Sequence, residues 1–278
     1  MIHHEHSIDK IEGMNVKKLL IMVVFMVICG SVNVYAEGFV IDTSRAETGV
    51  FEVKGIPGAN KIRIIVEKEG TRERYIYFLS DVNSNVFPLQ MGGGRYTITL
   101  LENIIRNESK KILAKTVDVE EIDPELLFTQ SIQIIDYDRS DIAVSSFRER
   151  VRAAKRKKDK LKIVYEFIID NIDYDFDKVP ETLFDYLPVI DETYVTRKGI
   201  CYDYAALVAG ALRSRGIPTK LQKGYTANIP AVFHAWNAVY IEGEWFKIDT
   251  TYDRQLRKAG LNVNMIKDCE KFIVVREF

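Results

Sequence analysis

The chain has 278 residues, a formal net charge of -1, and 47% hydrophobic and 11% aromatic residues. At roughly 150 residues per domain this is one large domain or two smaller ones, with enough apolar content for a real core and no general pull towards nucleic acid or an anionic membrane. Three cysteines are too few for a disulfide scaffold, and of the four histidines three (His3, His4, His6) lie in the first six residues, so a zinc site built on several histidines is excluded. Any mechanism that needs a histidine base in the folded body must use His234.

The amino terminus has the pattern of a secretory signal. Lys17-Lys18 precede an apolar run from Leu19 to Cys29, and Val34-Tyr35-Ala36 offers small or apolar residues at the cleavage positions. The run is about 11 residues, whereas a membrane span needs roughly 20. Residues 1–36 are therefore expected to be removed after Ala36, with Met14 as an alternative start and an uncleaved membrane anchor as the rival reading. The expected location is secreted or cell-surface, with no stable membrane span left after cleavage.

From residue 37 to 123 the chain reads as an all-β sandwich of immunoglobulin-like type. Predicted strands are Phe39–Asp42, Gly49–Lys54, Lys61–Glu67, Arg74–Leu79, Asn85–Gln90, Arg95–Leu101 and Ile112–Val119. Ile62, Ile64 and Val66 alternate with Arg63 and Ile65, and Gly55-Ile56-Pro57-Gly58, Asp81-Val82-Asn83-Ser84 and Gly92-Gly93-Gly94 supply turns. This region has neither histidine nor cysteine, so it is expected to be a spacer or docking module dispensable for chemistry.

An acidic boundary follows, Glu120-Glu121-Ile122-Asp123-Pro124, and the period changes to that of helices over Ser145 to Arg156 and Lys160 to Asn171. The basic run from Arg148 to Lys160 is read as a solvated helix face, because acids interrupt it and no aromatics interleave.

The chemistry is expected between Gly199 and Asp253. Ala205 to Leu212 is small and apolar nearly all round, the pattern of a buried helix, and Gly216-Ile217-Pro218 ends it. Cys201 therefore falls at the helix start, where free amides and the helix dipole favour an anion and hence a nucleophilic thiolate. His234 opens a strand, Phe233 to Ile241; Glu242-Gly243 reads as a turn, and Glu244 to Asp249 returns. With a two-residue turn Ile241 faces Glu244, Tyr240 faces Trp245 and Trp236 faces Asp249. His234 and Asp249 then share a face as diagonal neighbours, roughly 7–8 Å apart at the backbone. A three-residue turn would put Asp249 on the opposite face. Nucleophile, base and orienting acid are thus Cys201, His234 and Asp249.

The same order of residues resembles the transglutaminase-like superfamily. The resemblance rests on Gly199-Ile200-Cys201-Tyr202-Asp203-Tyr204-Ala205, Arg213 to Pro218, Lys223-Gly224-Tyr225, His234-Ala235-Trp236-Asn237-Ala238-Val239 and Trp245 to Tyr252, with Tyr174-Asp175 upstream. It spans roughly Ile142 to Asp253. It implies an α+β fold with a papain-like core over 124–278, and catalytic positions at Cys201, His234 and Asp249. Tyr174, Trp236 and Trp245 are weaker candidates to line a substrate groove, and the Cys201 amide is a candidate oxyanion donor.

No Gly-x-Ser-x-Gly elbow and no phosphate loop occur. The expected function is cysteine-dependent acyl transfer on a peptide, protein or cell-wall peptide, with hydrolysis favoured over crosslinking, no cofactor, no metal and no nucleic-acid partner. The alternative is a non-catalytic binding module on the same fold. Cys269 is expected to be inessential, its rival role being a disulfide to Cys201.

Overall fold

The computed structural model describes residues 34–36, 38–56, 58, 60–105, 108–178 and 186–278. The expected signal segment before Val34, Glu37 and Pro57 of the first expected turn lie outside the described residues. Eight strands come first: β1 (Val34–Ala36), β2 (Phe39–Asp42), β3 (Val50–Lys54), β4 (Ile62–Lys68), β5 (Arg74–Phe78), β6 (Val86–Pro88), β7 (Gly94–Ile105) and β8 (Glu108–Val119). They form two four-stranded antiparallel sheets, ordered β1-β2-β3-β6 and β5-β4-β7-β8. The alternation read in the sequence is the burial pattern: Ile62, Ile64 and Val66 are buried, whereas Arg63 and Ile65 on the other face are only partly covered. The β7–β8 pair runs longer than its apolar stretch predicts, since the ladder continues into polar residues from Lys111 to Glu108.

The helices α1 (Pro124–Leu127), α2 (Ile142–Arg150) and α3 (Lys157–Asn171) follow, then strand β9 (Asp173–Tyr174), α4 (Ile190–Thr196), β10 (Lys198–Gly199) and α5 (Cys201–Arg213). Proline opens α1 and the Asp123 side chain caps it, accepting from the Glu125 amide at 2.8 Å. The third antiparallel sheet, ordered β13-β12-β11-β14, is built from β11 (Thr219–Thr226), β12 (His234–Ile241), β13 (Glu244–Ile248) and β14 (Phe272–Glu277), with α6 (Thr250–Lys258) between β13 and β14. Helix α5 is buried on every side except at Cys201, as its composition requires, and packs on β11 and β12. Gly216, at φ 68°, then turns the chain left-handed ahead of Pro218. Among the described residues, the elements that escaped the sequence reading include α1, α4, β11, α6 and β14. The apolar residues of β14 are largely exposed (Ile273 66%), so it carries no alternation to read.

The hydrophobic core is continuous across residue 123. The Asn83 side chain donates to the carbonyls of Gln133 (2.8 Å) and Pro188 (3.2 Å), Gln133 donates to the Phe78 carbonyl (2.8 Å), and the ring of Tyr75 meets Phe278 edge-on at 5.6 Å. These contacts tie the β-rich region to the segments that follow residue 123. The polar residues read as a loose boundary are bracketed by buried Val119, Ile122 and Leu127. Among the described residues no helix is long and apolar enough to cross a membrane.

Candidate active site

Residue 199 must be glycine for Cys201 to sit where it does: a Cβ there would lie 2.7 Å from the Asp203 Cβ. The short parallel pair β9–β10 sets Gly199 beside Tyr174, and the Asp175 amide donates to the Gly199 carbonyl at 3.0 Å. Asp203, fully buried, accepts from the Ile200 amide at 2.8 Å and from the Tyr186 hydroxyl, with Lys178 Nζ at 3.5 Å. Burial raises its pKa, and the hydrogen bonds from Tyr186 and Ile200 oppose that rise. Asp203 pins the turn into α5, and Cys201 emerges as the first residue of the helix. An acid three residues after a helix cap was the signal for this role, and the motif was read without assigning one.

The turn register decides where Asp249 falls. Glu242 (φ 53°) and Gly243 (φ 93°) both occupy the left-handed region, as a type I′ two-residue turn requires. Ile241 pairs with Glu244, Tyr240 with Trp245 and Asn237 with Ile248, the register expected from the sequence. Asp249 leaves the strand as the cap of α6, its Oδ1 accepting from the Tyr252 amide at 3.0 Å. Its Oδ2 lies 2.9 Å from His234 Nε2. An ionised carboxylate only accepts, so Nε2 carries the proton and Nδ1 is left for the other side of the ring. The Cys201 side chain is near enough to the ring to favour its charged form. Burial works against a charged His234, but the Asp249 carboxylate, the hydrogen bond to it and the nearby Cys201 side chain outweigh it, and its pKa is raised to about 10. The pair His234–Asp249 is almost fully buried; Cys201 is half-buried and faces space.

That space is a cavity of about 440 Å³ whose lining includes Tyr174, Phe176, Cys201, Phe233, His234 and Tyr252. Tyr174 stands where a groove residue was expected. Trp236 and Trp245 do not line it. Trp236 is 1% exposed; its ring stacks by His234 at 6.3 Å and its indole donates to Gln222 Oε1 at 2.8 Å. Two residues along a strand return to the same face, so the tryptophan that follows the histidine becomes its buried backing. Trp245 packs edge-on against Phe128 at 5.6 Å, with Lys220 Nζ 4.4 Å above its ring. The lining residues Ile229, Val232, Phe233, Thr251, Tyr252 and Gln255 were missed; the apolar run Val232-Phe233 in an otherwise loop-like stretch was the available signal. Cys201 and Cys269 are free thiols, the second exposed. Among the described residues no group of three or more His, Cys, Asp or Glu side chains could hold a metal ion.

Residues 145–250 match the family model described as Transglutaminase-like superfamily. No curated protein matches the chain. Solved structures with similarity include a protein of Cytophaga hutchinsonii provisionally assigned as a cysteine protease (14% identity, TM-score 0.45, covering 82% of this chain and 75% of that one). A protein described as a TGase shares 18% identity at TM-score 0.29, over 39% of this chain and 29% of that one. A Parabacteroides distasonis protein provisionally assigned as a protease shares 12% at TM-score 0.33, over 68% and 37%.

Proposed function

We propose, because residues 145–250 match the model of the transglutaminase-like superfamily, that the chain is a cysteine-dependent acyl-transfer enzyme that hydrolyses peptide or carboxamide bonds. The observation that carries this reading is the buried His234–Asp249 hydrogen bond at the side of a half-buried cysteine that opens a helix. The Cys201 sulfur attacks the carbonyl carbon, and the carbonyl oxygen takes up negative charge near the first amides of α5. His234 gives its proton to the departing amine as the C–N bond breaks, leaving a thioester. Water then attacks the thioester, His234 takes its proton, and the acid product leaves with the thiol restored. Asp249 keeps the imidazole in the useful orientation throughout.

Water is favoured over an amine acceptor because, among the described residues, those lining the cavity at Cys201 include no Asp or Glu. A lysine acceptor would have to bring its ammonium through apolar walls without an acid to receive it, at a desolvation cost that water does not meet. The two amino-terminal sheets are read as a sandwich bracing the core. Export is part of the same reading, with peptide or cell-wall peptide substrates outside the cytoplasm. Cleavage after Ala36 would remove β1 and leave β2 as the sheet edge.

The test is a screen of purified protein against cell-wall peptides and glutamine-containing peptides, with and without an added amine. Released acid or new amino termini that disappear in Cys201→Ala are the expected result. Amine incorporation in place of hydrolysis would make the enzyme a transamidase, and no turnover with no reactive thiol would make the fold a binding module.

A further inference from the structure

A second cavity, of about 490 Å³, lies where strand β5 meets the helix that carries the nucleophile, with Tyr77, Phe78, Tyr186, Tyr202, Lys223 and Phe278 among its walls. Its volume is within the roughly 300–1,000 Å³ of small-molecule sites. Two of its charged lining groups, Lys61 and Asp81, are exposed and of opposite sign. The interior charge is Lys223. It projects from β11 opposite Ala235, one residue from the position paired with His234. Its Nζ sits 3.1 Å from the centre of the Tyr202 ring and 5.8 Å from that of Phe278. Among the described residues it has neither a hydrogen-bond acceptor nor a carboxylate partner.

Burial lowers the Lys223 pKa to about 7, opposed by the charge of the Cys201 side chain, so this ammonium is electrically in touch with the nucleophile. A lysine held in an aromatic-walled cavity with no carboxylate paired to it among the described residues costs free energy that an apolar side chain would not. Methionine would fill the same volume. The ring faces stabilise the cation in part, and its N–H donors have no acceptor among the described residues.

We propose that this cavity is an anion subsite for the acyl donor, in which Lys223 pairs with a carboxylate borne by the substrate, such as an acidic side chain or a free carboxyl terminus. One interior ammonium balances one negative charge, and the rings of Tyr77, Tyr186 and Tyr202 suit the short apolar stem of a residue-sized acid rather than a bare polyanion. Water excluded by those rings strengthens the pairing. The assignment to the acyl donor rests on the acyl-transfer reading; capture of a carboxylate does not.

Calorimetric titration of the full chain with the α-amides of N-acetylglutamate and N-acetylglutamine, which carry one carboxylate and none, and with inorganic phosphate tests it without using turnover. The acid should bind at least tenfold tighter than the neutral amide and tighter than phosphate. Lys223→Met should erase that preference. Lys223→Arg, which keeps the charge, and Cys201→Ala, which removes only the thiol, should both preserve it. Equal affinity for acid and amide, no binding of the acid, tighter binding of phosphate, or a preference that survives Lys223→Met would overturn the proposal. Survival in Lys223→Met would place the anion at His234 instead. If the acid preference holds while the peptide screen shows no turnover, the acyl-transfer reading fails and the subsite stands.

Discussion

The Asp249 carboxylate is divided between two donors, the His234 ring through Oδ2 and the Tyr252 amide through Oδ1. Asparagine keeps an acceptor for the amide but loses the charge that raises the imidazole pKa. Asp249→Asn should therefore fold normally and lose about 10²–10⁴-fold in kcat. Asp249→Ala should in addition lose about 1 kcal/mol of stability with the cap, read by urea unfolding. For His234 the folded pKa of about 10 lies above the unfolded value near 6.5, so the folded chain holds that proton more tightly. The stabilisation is fully present below pH 6.5 and is lost as pH rises towards 10. The unfolding free-energy difference between the protein and His234→Gln should be flat below pH 6.5 and shrink steadily up to pH 10. The same retained imidazolium should let iodoacetamide label Cys201 at pH 6, and His234→Ala should slow that labelling at least tenfold. Labelling confined to pH above 8, indifferent to His234, would uncouple the two residues.

At the level of elements, the site depends on two close fits that lie away from it. Arg213, at the end of α5, donates to the carbonyls of Thr219 (2.8 Å), Gln130 (2.8 Å) and Phe278 (3.0 Å) while almost fully buried. Burial lowers its pKa to about 9. It ties the nucleophile's helix to β11 and to the residue that follows β14. Arg213→Met should cost about 3–5 kcal/mol, since three buried carbonyls lose their donor together. Where β14 crosses β11, Gly224 pairs with His234 on its other side, and a Cβ there would stand 2.0 Å from the Ile273 carbonyl oxygen. Gly224→Ala should push β14 off the sheet, at about 1–3 kcal/mol. Faster amide exchange over residues 272–277 would report it. Unchanged protection there would mean that the bulge between Lys223 and Gly224 absorbs the methyl.

Across the whole molecule, the amino-terminal sheets and the residues after 123 share buried surface rather than a linker. Phe278 is wrapped by Tyr75 and Tyr77 of β5, and the loop after β5 is held by Asn83 and Gln133. A chain beginning at Asp123 would expose Phe278 and leave the carbonyls of Gln133 and Pro188 without their donor. It should show no cooperative thermal transition, whereas the full chain should show one. A fragment that melts cooperatively and keeps a reactive Cys201 would restore the modular reading. The cavity that holds Lys223 exists only because both parts contribute walls, so the fragment would lose it as well.

The strands of the first half were legible because one buried face imposes period two on them, and α5 was legible because a helix enclosed on all sides must be small and apolar. Local chemistry also settled the hairpin: Glu242-Gly243 admits a two-residue turn, the turn sets the register, and the register carries Asp249 to the imidazole. What no local pattern decided was which side chains face the open space. Trp236 and Trp245 read as groove aromatics and are packed away, while Phe233 and Tyr252 line the cavity. The buried faces of those strands are chosen by elements far along the chain. How the two regions are joined was not legible for a related reason. A shift in composition marks a change of secondary structure, whereas a domain boundary requires that few contacts cross it, and those contacts join residues such as Asn83 and Pro188, 105 positions apart. Order and spacing of reactive residues are properties of the sequence; burial, cavities and shared core are properties of distant segments brought together, and only the tertiary structure decides them.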